Sequence, residues 1–137
     1  MRRRSGWPGG GGTSYATPIV AGIQALINQS TGAKQGNPAP TYYKLAATEY
    51  GASGSASCNS SKGNQIASTC IFNDVTFGDD DADCTGTENC YLPSGTYGVL
   101  STSNSSYSAA YKAQTGYDFP TGIGTINAAN LVNNWPK

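Results

Sequence analysis

The nine residues Ile19-Val20-Ala21-Gly22-Ile23-Gln24-Ala25-Leu26-Ile27 are apolar nearly all round. A helix with apolar side chains on every side is expected to be buried, so this run predicts a core helix that the remaining chain must cover. Pro18 just before it suits a first helical turn, where a missing N–H costs little. Upstream, Gly11-Gly12-Thr13-Ser14-Tyr15-Ala16-Thr17-Pro18 delivers a serine on a glycine run to the start of that helix. Free backbone N–H groups and the positive end of the helix dipole lie there, so Ser14 is a candidate nucleophile beside an oxyanion stabiliser. Serine also caps helices, and from these eight residues both roles stay open.

At 137 residues, 37% hydrophobic and 12% charged, the chain can build one modest core and is no charged disordered tail. Its 8 basic and 8 acidic side chains balance, which removes any general case for nucleic-acid or anionic-membrane partners, and Arg2-Arg3-Arg4 is too short to restore one. No apolar stretch follows those arginines before Gly9, as a secretory leader would need. The apolar run is about half the length a bilayer requires, so the chain reads as soluble. Residues 1–10, Met1 to Gly10, lack periodicity and are expected to be a flexible or truncated start to a folded unit over residues 11–137.

The later punctuation predicts alternating short elements. Gly32, Gly36, Pro38 and Pro40 mark a loop, after which Thr41 can cap a second helix over Tyr42 to Thr48. Gly51 to Gln65 has little to bury and is expected to be a surface excursion. A short strand, Ser68 to Phe72, follows. Thr76 to Ser108 is polar, with Tyr97, Val99 and Leu100 the strand residues of a hairpin. Asn127 caps a last helix, Ala128 to Asn134, whose Leu131, Val132 and following Trp135 face the body. The whole is an α/β chain carrying a polar insertion over residues 51–108.

Cys58, Cys70, Cys84 and Cys90 all fall in that insertion, and the chain has no histidine. Without a close C-x-x-C pair or a histidine partner, zinc binding and thiol catalysis give way to disulfides, which point to an oxidising, extracellular setting. Pairing Cys58 with Cys70 and Cys84 with Cys90 is the simplest of three connectivities. Asp79, Asp81 and Asp83 match the opening of an EF-hand loop, but Cys84 and Cys90 stand where the turn glycine and the bidentate glutamate belong, so a solvated acidic loop is the preferred reading. Glu49 and Glu88 read as solvated surface charges. Asn28, Asn59 and Asn104 each open a glycosylation sequon, which has meaning only in a eukaryotic secretory route.

Gly12-Thr13-Ser14 followed by Ala16, Pro18 and Ala21-Gly22 resembles the serine box of the subtilisin clan. More than a hundred residues follow it, and two later pieces are similar to the calcium site of the sedolisins, the serine-carboxyl peptidases. The first is Phe72-Asn73-Asp74-Val75-Thr76; the second is Ala113-Gln114-Thr115-Gly116-Tyr117-Asp118 leading into Thr121-Gly122-Ile123-Gly124. The resemblance implies the C-terminal portion of a subtilisin-like (sedolisin) α/β fold, a secreted, acid-acting serine endopeptidase cleaving polypeptides. Ser14 would be the nucleophile, and one Ca2+ ion would be held by the Asp74 and Asp118 side chains and by the carbonyls of Val75, Gln114 and Gly116. Gln114 replaces a glycine of the family pattern. The family's glutamate base, its aspartate partner and the oxyanion aspartate lie before the serine box, so the isolated chain is expected to be inactive and to need the upstream part of the same domain as partner. A subtilisin-type fragment and a non-catalytic, calcium-stabilised binding module are the alternatives.

Overall fold

A computed structural model describes residues 12–86 and 88–137. The first eleven residues, and with them the flexible start expected over residues 1–10, therefore lie outside the described part. Three helices, α1 (Thr13–Thr31), α2 (Ala39–Glu49) and α3 (Ala128–Asn134), meet a two-stranded antiparallel sheet of β1 (Phe72–Asn73) and β5 (Thr125–Ile126). The β1–β5 register sets Phe72 opposite Ile126 and Asn73 opposite Thr125. A second sheet, in the order β2-β4-β3, is formed by β2 (Asp83–Cys84), β3 (Cys90–Tyr91) and β4 (Gly98–Leu100). The architecture is mixed α and β.

The core gathers Ile27 of α1, Tyr42, Ala46 and Tyr50 from α2 and its cap, Ile71 and Phe72 around β1, Leu131 of α3, and Trp135. Phe72, Ile27 and Leu131 are wholly excluded from solvent, each burial contributing roughly 1.5–3 kcal/mol before ordering costs. Tyr42 meets Trp135 edge to face at 5.2 Å. The polar ends of both rings find partners inside the fold, since Tyr42 Oη donates to Gln24 Oε1 and Trp135 Nε1 donates to Gln35 Oε1. Asn127 caps α3 by accepting from the Asn130 N–H, as its sequence predicts.

Several expectations are corrected. α1 is not a buried helix: among its described residues only Ile27 is fully buried, while Ile19 is 66% and Leu26 51% exposed. An all-round apolar pattern demands cover on every side, and α3 and α2 cover one. Pro18 lies inside α1 rather than in its first turn, so the helix carries it at the loss of one i→i−4 bond, the one to the Ser14 carbonyl. α2 starts at Ala39, with Asn37 Oδ1 accepting from the Ala39 N–H, so Thr41 is a helical residue and not the cap. The strand read at Ser68 to Phe72 is shifted to Phe72–Asn73. The excursion over Gly51 to Gln65 contains a 3-10 helix, Ser60–Gln65, capped by Asn59.

The insertion is organised by cross-links and hydroxyls. Cys58–Cys70 and Cys84–Cys90 are both disulfides, the second tying together the two outer strands of the β2-β4-β3 sheet. Of the expected hairpin residues Val99 and Leu100 are in β4, and Tyr97 precedes it. Beyond β4, buried Ser101 accepts at Oγ from the N–H groups of Ser103 and Ser108 and donates toward the carbonyls of Ser106 and Ser108. With the Thr102 N–H and hydroxyl, which also bond Ser108, Ser101 closes the loop by hydrogen bonds.

Candidate functional site

β1 carries the chain directly into Asp74, and the turn after residue 113 brings Asp118 to the same region. Asp74 is 1% exposed and Asp118 3%. The Asp74 backbone is fixed on both sides, its N–H donating to the Cys58 carbonyl and its carbonyl accepting from the Ser60 N–H, each at 2.8 Å. Its side chain reaches the second segment, where Oδ2 accepts from the Gly116 N–H at 3.0 Å. Gly116 has φ +81°, and a Cβ there would stand 2.9 Å from the Gly51 carbonyl oxygen, so glycine is required for this approach. Asp118 Oδ2 accepts from the Gln114 N–H, and its Oδ1 from both the N–H and Oγ1 of Thr121, all at 2.8 Å.

The two carboxylates differ in one respect. Burial acts to raise the Asp118 pKa, but the hydrogen bonds from Gln114 and Thr121 outweigh it and leave the group below its ordinary 3.8. Asp74 Oδ1, by contrast, is buried and accepts no hydrogen bond. A buried carboxylate oxygen without a partner costs roughly the full desolvation penalty of the group, 1–3 kcal/mol or more. Neither aspartate forms an ion pair among the described residues. Tyr50 registers the resulting field: its phenol is pushed up to about 12, by burial first and then by the charges of Asp74, Glu49 and Asp118, while its hydroxyl donates to the Ile123 carbonyl at 2.8 Å.

An oxygen-only donor set, a net negative charge and one unsatisfied carboxylate oxygen suit a hard cation such as Ca2+, which takes six to eight oxygens from carboxylates, backbone carbonyls and water. Two hydrogen-bonded pairs stand here, Asp74 with Gly116 and Asp118 with Gln114, the second pair flanking Gly116 in the same short segment, and Val75 follows Asp74 in the chain. Gln114 is under no glycine-like constraint, because Asn89 is the non-glycine residue with positive φ among the described residues.

Ser14 is the second residue of α1 and is exposed. The cap position belongs to Gly12, so Ser14 is not the helix cap. The carbonyl of Gly12 takes the N–H of Tyr15, and no side chain among the described residues hydrogen-bonds the Ser14 hydroxyl. The first turn thus presents a serine with no base hydrogen-bonded to it among the described residues.

One other acidic group departs from its sequence reading. Glu49, expected to be a solvated surface charge, is half-buried and accepts from the N–H groups of Ile71 and Phe72 at 2.7 Å each. Its carboxylate lies within 4.8 Å of the Cys58 and Cys70 sulfurs, which are tied to each other and offer no thiolate to a metal. Glu88 is exposed, as read. The acidic loop is exposed at Asp79, Asp80 and Asp83, as read, and it is also tied down: Asp81 accepts from the N–H groups of Ala110 and Tyr111, and Tyr107 Oη donates to both Asp79 and Asp81. That raises the Tyr107 pKa, chiefly through the bond to Asp79.

No family model, curated protein or solved structure matches the chain. No helix among the described residues is long and apolar enough to cross a membrane. The two disulfides point to an oxidising environment.

Proposed function

We propose that the chain is the serine-bearing, C-terminal part of a secreted sedolisin-like serine-carboxyl endopeptidase, stapled by one Ca2+ ion. The observation that carries the reading is the hydrogen bond that ties Asp74 Oδ2 to Gly116 of the second segment, while the other oxygen of the same carboxylate, Oδ1, is buried and lacks a partner. The two segments were singled out together by their resemblance to one calcium site, and they meet. Asp74 and Asp118 would bind through carboxylates, and Val75, Gln114 and Gly116 through carbonyls. The ion would neutralise a site that otherwise keeps its negative charge under cover.

In this reading Ser14 Oγ attacks the scissile carbonyl of a polypeptide and water later hydrolyses the acyl-enzyme. The proton passes to a carboxylate base, which suits acidic solution because a carboxyl group still cycles there. That base, its aspartate partner and the oxyanion aspartate belong to the upstream part of the domain. The exposed apolar residues Tyr15, Ile19, Val20 and Leu26 of α1 are the surface on which such a part would pack.

That no base hydrogen-bonds Ser14 among the described residues favours one second reading, a calcium-stabilised binding module that keeps a serine without using it. Reading the coding sequence upstream of Met1 separates these. A glutamate with an aspartate partner supports the proposal, and a histidine base supports a subtilisin-type enzyme. Absence of any base, together with no labelling of Ser14 by an active-site serine probe, overturns both enzyme readings.

A further inference from the structure

We infer that the Cys58–Cys70 disulfide and cation binding at Asp74 are coupled: reducing this one cross-link weakens the site, and the bound cation protects the cross-link. The inference rests on the calcium reading above and assigns a redox dependence to that site.

The coupling follows from where the two half-cystines stand. Cys58 opens the segment that runs beside Asp74, bonded to it on both sides, with Asn59 and Asp74 forming a parallel bridge. Thr76 Oγ1, two residues past Asp74, donates to Asn59 Oδ1. Cys70 immediately precedes Ile71 and Phe72, whose N–H groups are held by Glu49. The disulfide therefore fixes the separation between the wall at residues 58–60 and the strand that delivers Asp74. Gly54, upstream of Cys58, also reaches the site: a Cβ there would stand 3.4 Å from Asp74 Oδ2 and overlap Thr115 Cγ2. Both cysteines are buried, Cys58 at 5% and Cys70 at 2% exposed.

A cation site gains affinity when its ligands are held in the binding geometry beforehand, and loses it when they must be ordered on binding. Opening the disulfide releases the loop that holds Asp74 and moves that ordering cost onto the binding step. Linkage then requires the reverse effect of equal size: whatever factor the disulfide adds to cation affinity, the cation adds to the resistance of the disulfide. Cys84–Cys90 supplies an internal control. It joins β2 to β3 and makes no bond to Asp74, Gln114, Gly116 or Asp118.

The test titrates the native chain with a dithiol reductant, with Ca2+ or with chelator, and counts free thiols by alkylation and peptide mapping. The dithiol is oxidised to its cyclic disulfide as the protein Sγ–Sγ bond breaks and takes two electrons and two protons. Ca2+ should raise the reductant needed to open Cys58–Cys70 by about tenfold, within the usual range of coupling between sites, and leave Cys84–Cys90 unmoved. In calorimetry the Cys58→Ser/Cys70→Ser variant should bind Ca2+ about tenfold more weakly, and Cys84→Ser/Cys90→Ser as tightly as the parent. If the first variant does not fold, the titration of the native chain decides alone. Equal protection of both disulfides, or of neither while the oxidised chain still binds Ca2+, overturns the coupling and leaves the calcium reading standing. No binding to the oxidised chain overturns the calcium reading itself.

Discussion

Glu49→Gln separates a structural clamp from a surface charge. The carboxylate receives two backbone N–H groups at 2.7 Å, from residues 22 and 23 positions away, and so ties the end of α2 to the strand entering the site. Hydrogen bonds to a charged acceptor contribute about 1.5–3 kcal/mol each, and the half-buried setting places this pair toward the lower end. An amide keeps one acceptor and turns a donor toward the other N–H, so one bond is lost, one is weakened and a donor is left facing a donor. The expected loss is about 2–3 kcal/mol. For a chain of this length that is a fall in Tm of roughly 6–15 °C. Circular dichroism melts in Ca2+ and in chelator should both show it, because the clamp does not depend on the ion. Glu88→Gln, at an exposed position, should change stability by less than about 0.5 kcal/mol. If Glu49→Gln melts with the Glu88→Gln control, the clamp contributes nothing and the surface-charge reading was right.

The purified chain should show no peptide hydrolysis at acidic pH, since no base hydrogen-bonds Ser14 among the described residues; hydrolysis abolished by Ser14→Ala would contradict this. Ile27→Ala should cost about 2–5 kcal/mol, whereas Ile19→Asn should fall within about 0.5 kcal/mol of the parent, a contrast that urea melts would test and that equal losses would refute. Because the folded Asp118 pKa is lowered below the ordinary 3.8, its contribution is present above that value and is lost as pH falls through the folded pKa; Asp118→Asn should flatten this acid limb of stability. Tyr50 acts at the other end: its folded pKa of about 12 lies above the ordinary 10.0, so its contribution is full below pH 10.0 and is lost as pH rises through about 12, a limb that Tyr50→Phe should remove.

What the sequence made legible was local. Asn127 before Ala128 announces α3 because the cap and its N–H partner are three residues apart. Cys58–Cys70 and Cys84–Cys90 are the short-loop pairings that chain entropy favours. The two aspartate segments stand out only through their resemblance to one calcium site; neither segment's own composition links Asp74 to Gly116, 42 positions on in the sequence. Glu49 was not legible, since its partners lie on a strand beyond a disulfide loop and no spacing rule links a helix end to them. Nor was the exposure of Ile19 and Leu26. An apolar pattern states that a surface needs cover, and only the packed chain tells whether the cover is present. The acidic loop is exposed as read at Asp79, Asp80 and Asp83, but the donors of Asp81, 29 and 30 residues on, were beyond any local rule.

The central claim is that Asp74 and Asp118 form one cation site, and calorimetric titration of the oxidised chain with Ca2+ tests it most directly. A single-site isotherm is predicted, absent in Asp74→Asn and in Asp118→Asn and retained in Asp81→Asn, with about 2.7 kcal/mol of added stability when the ion is a hundredfold above its Kd. No heat of binding to the parent chain, or binding that survives Asp118→Asn and disappears with Asp81→Asn, would contradict it.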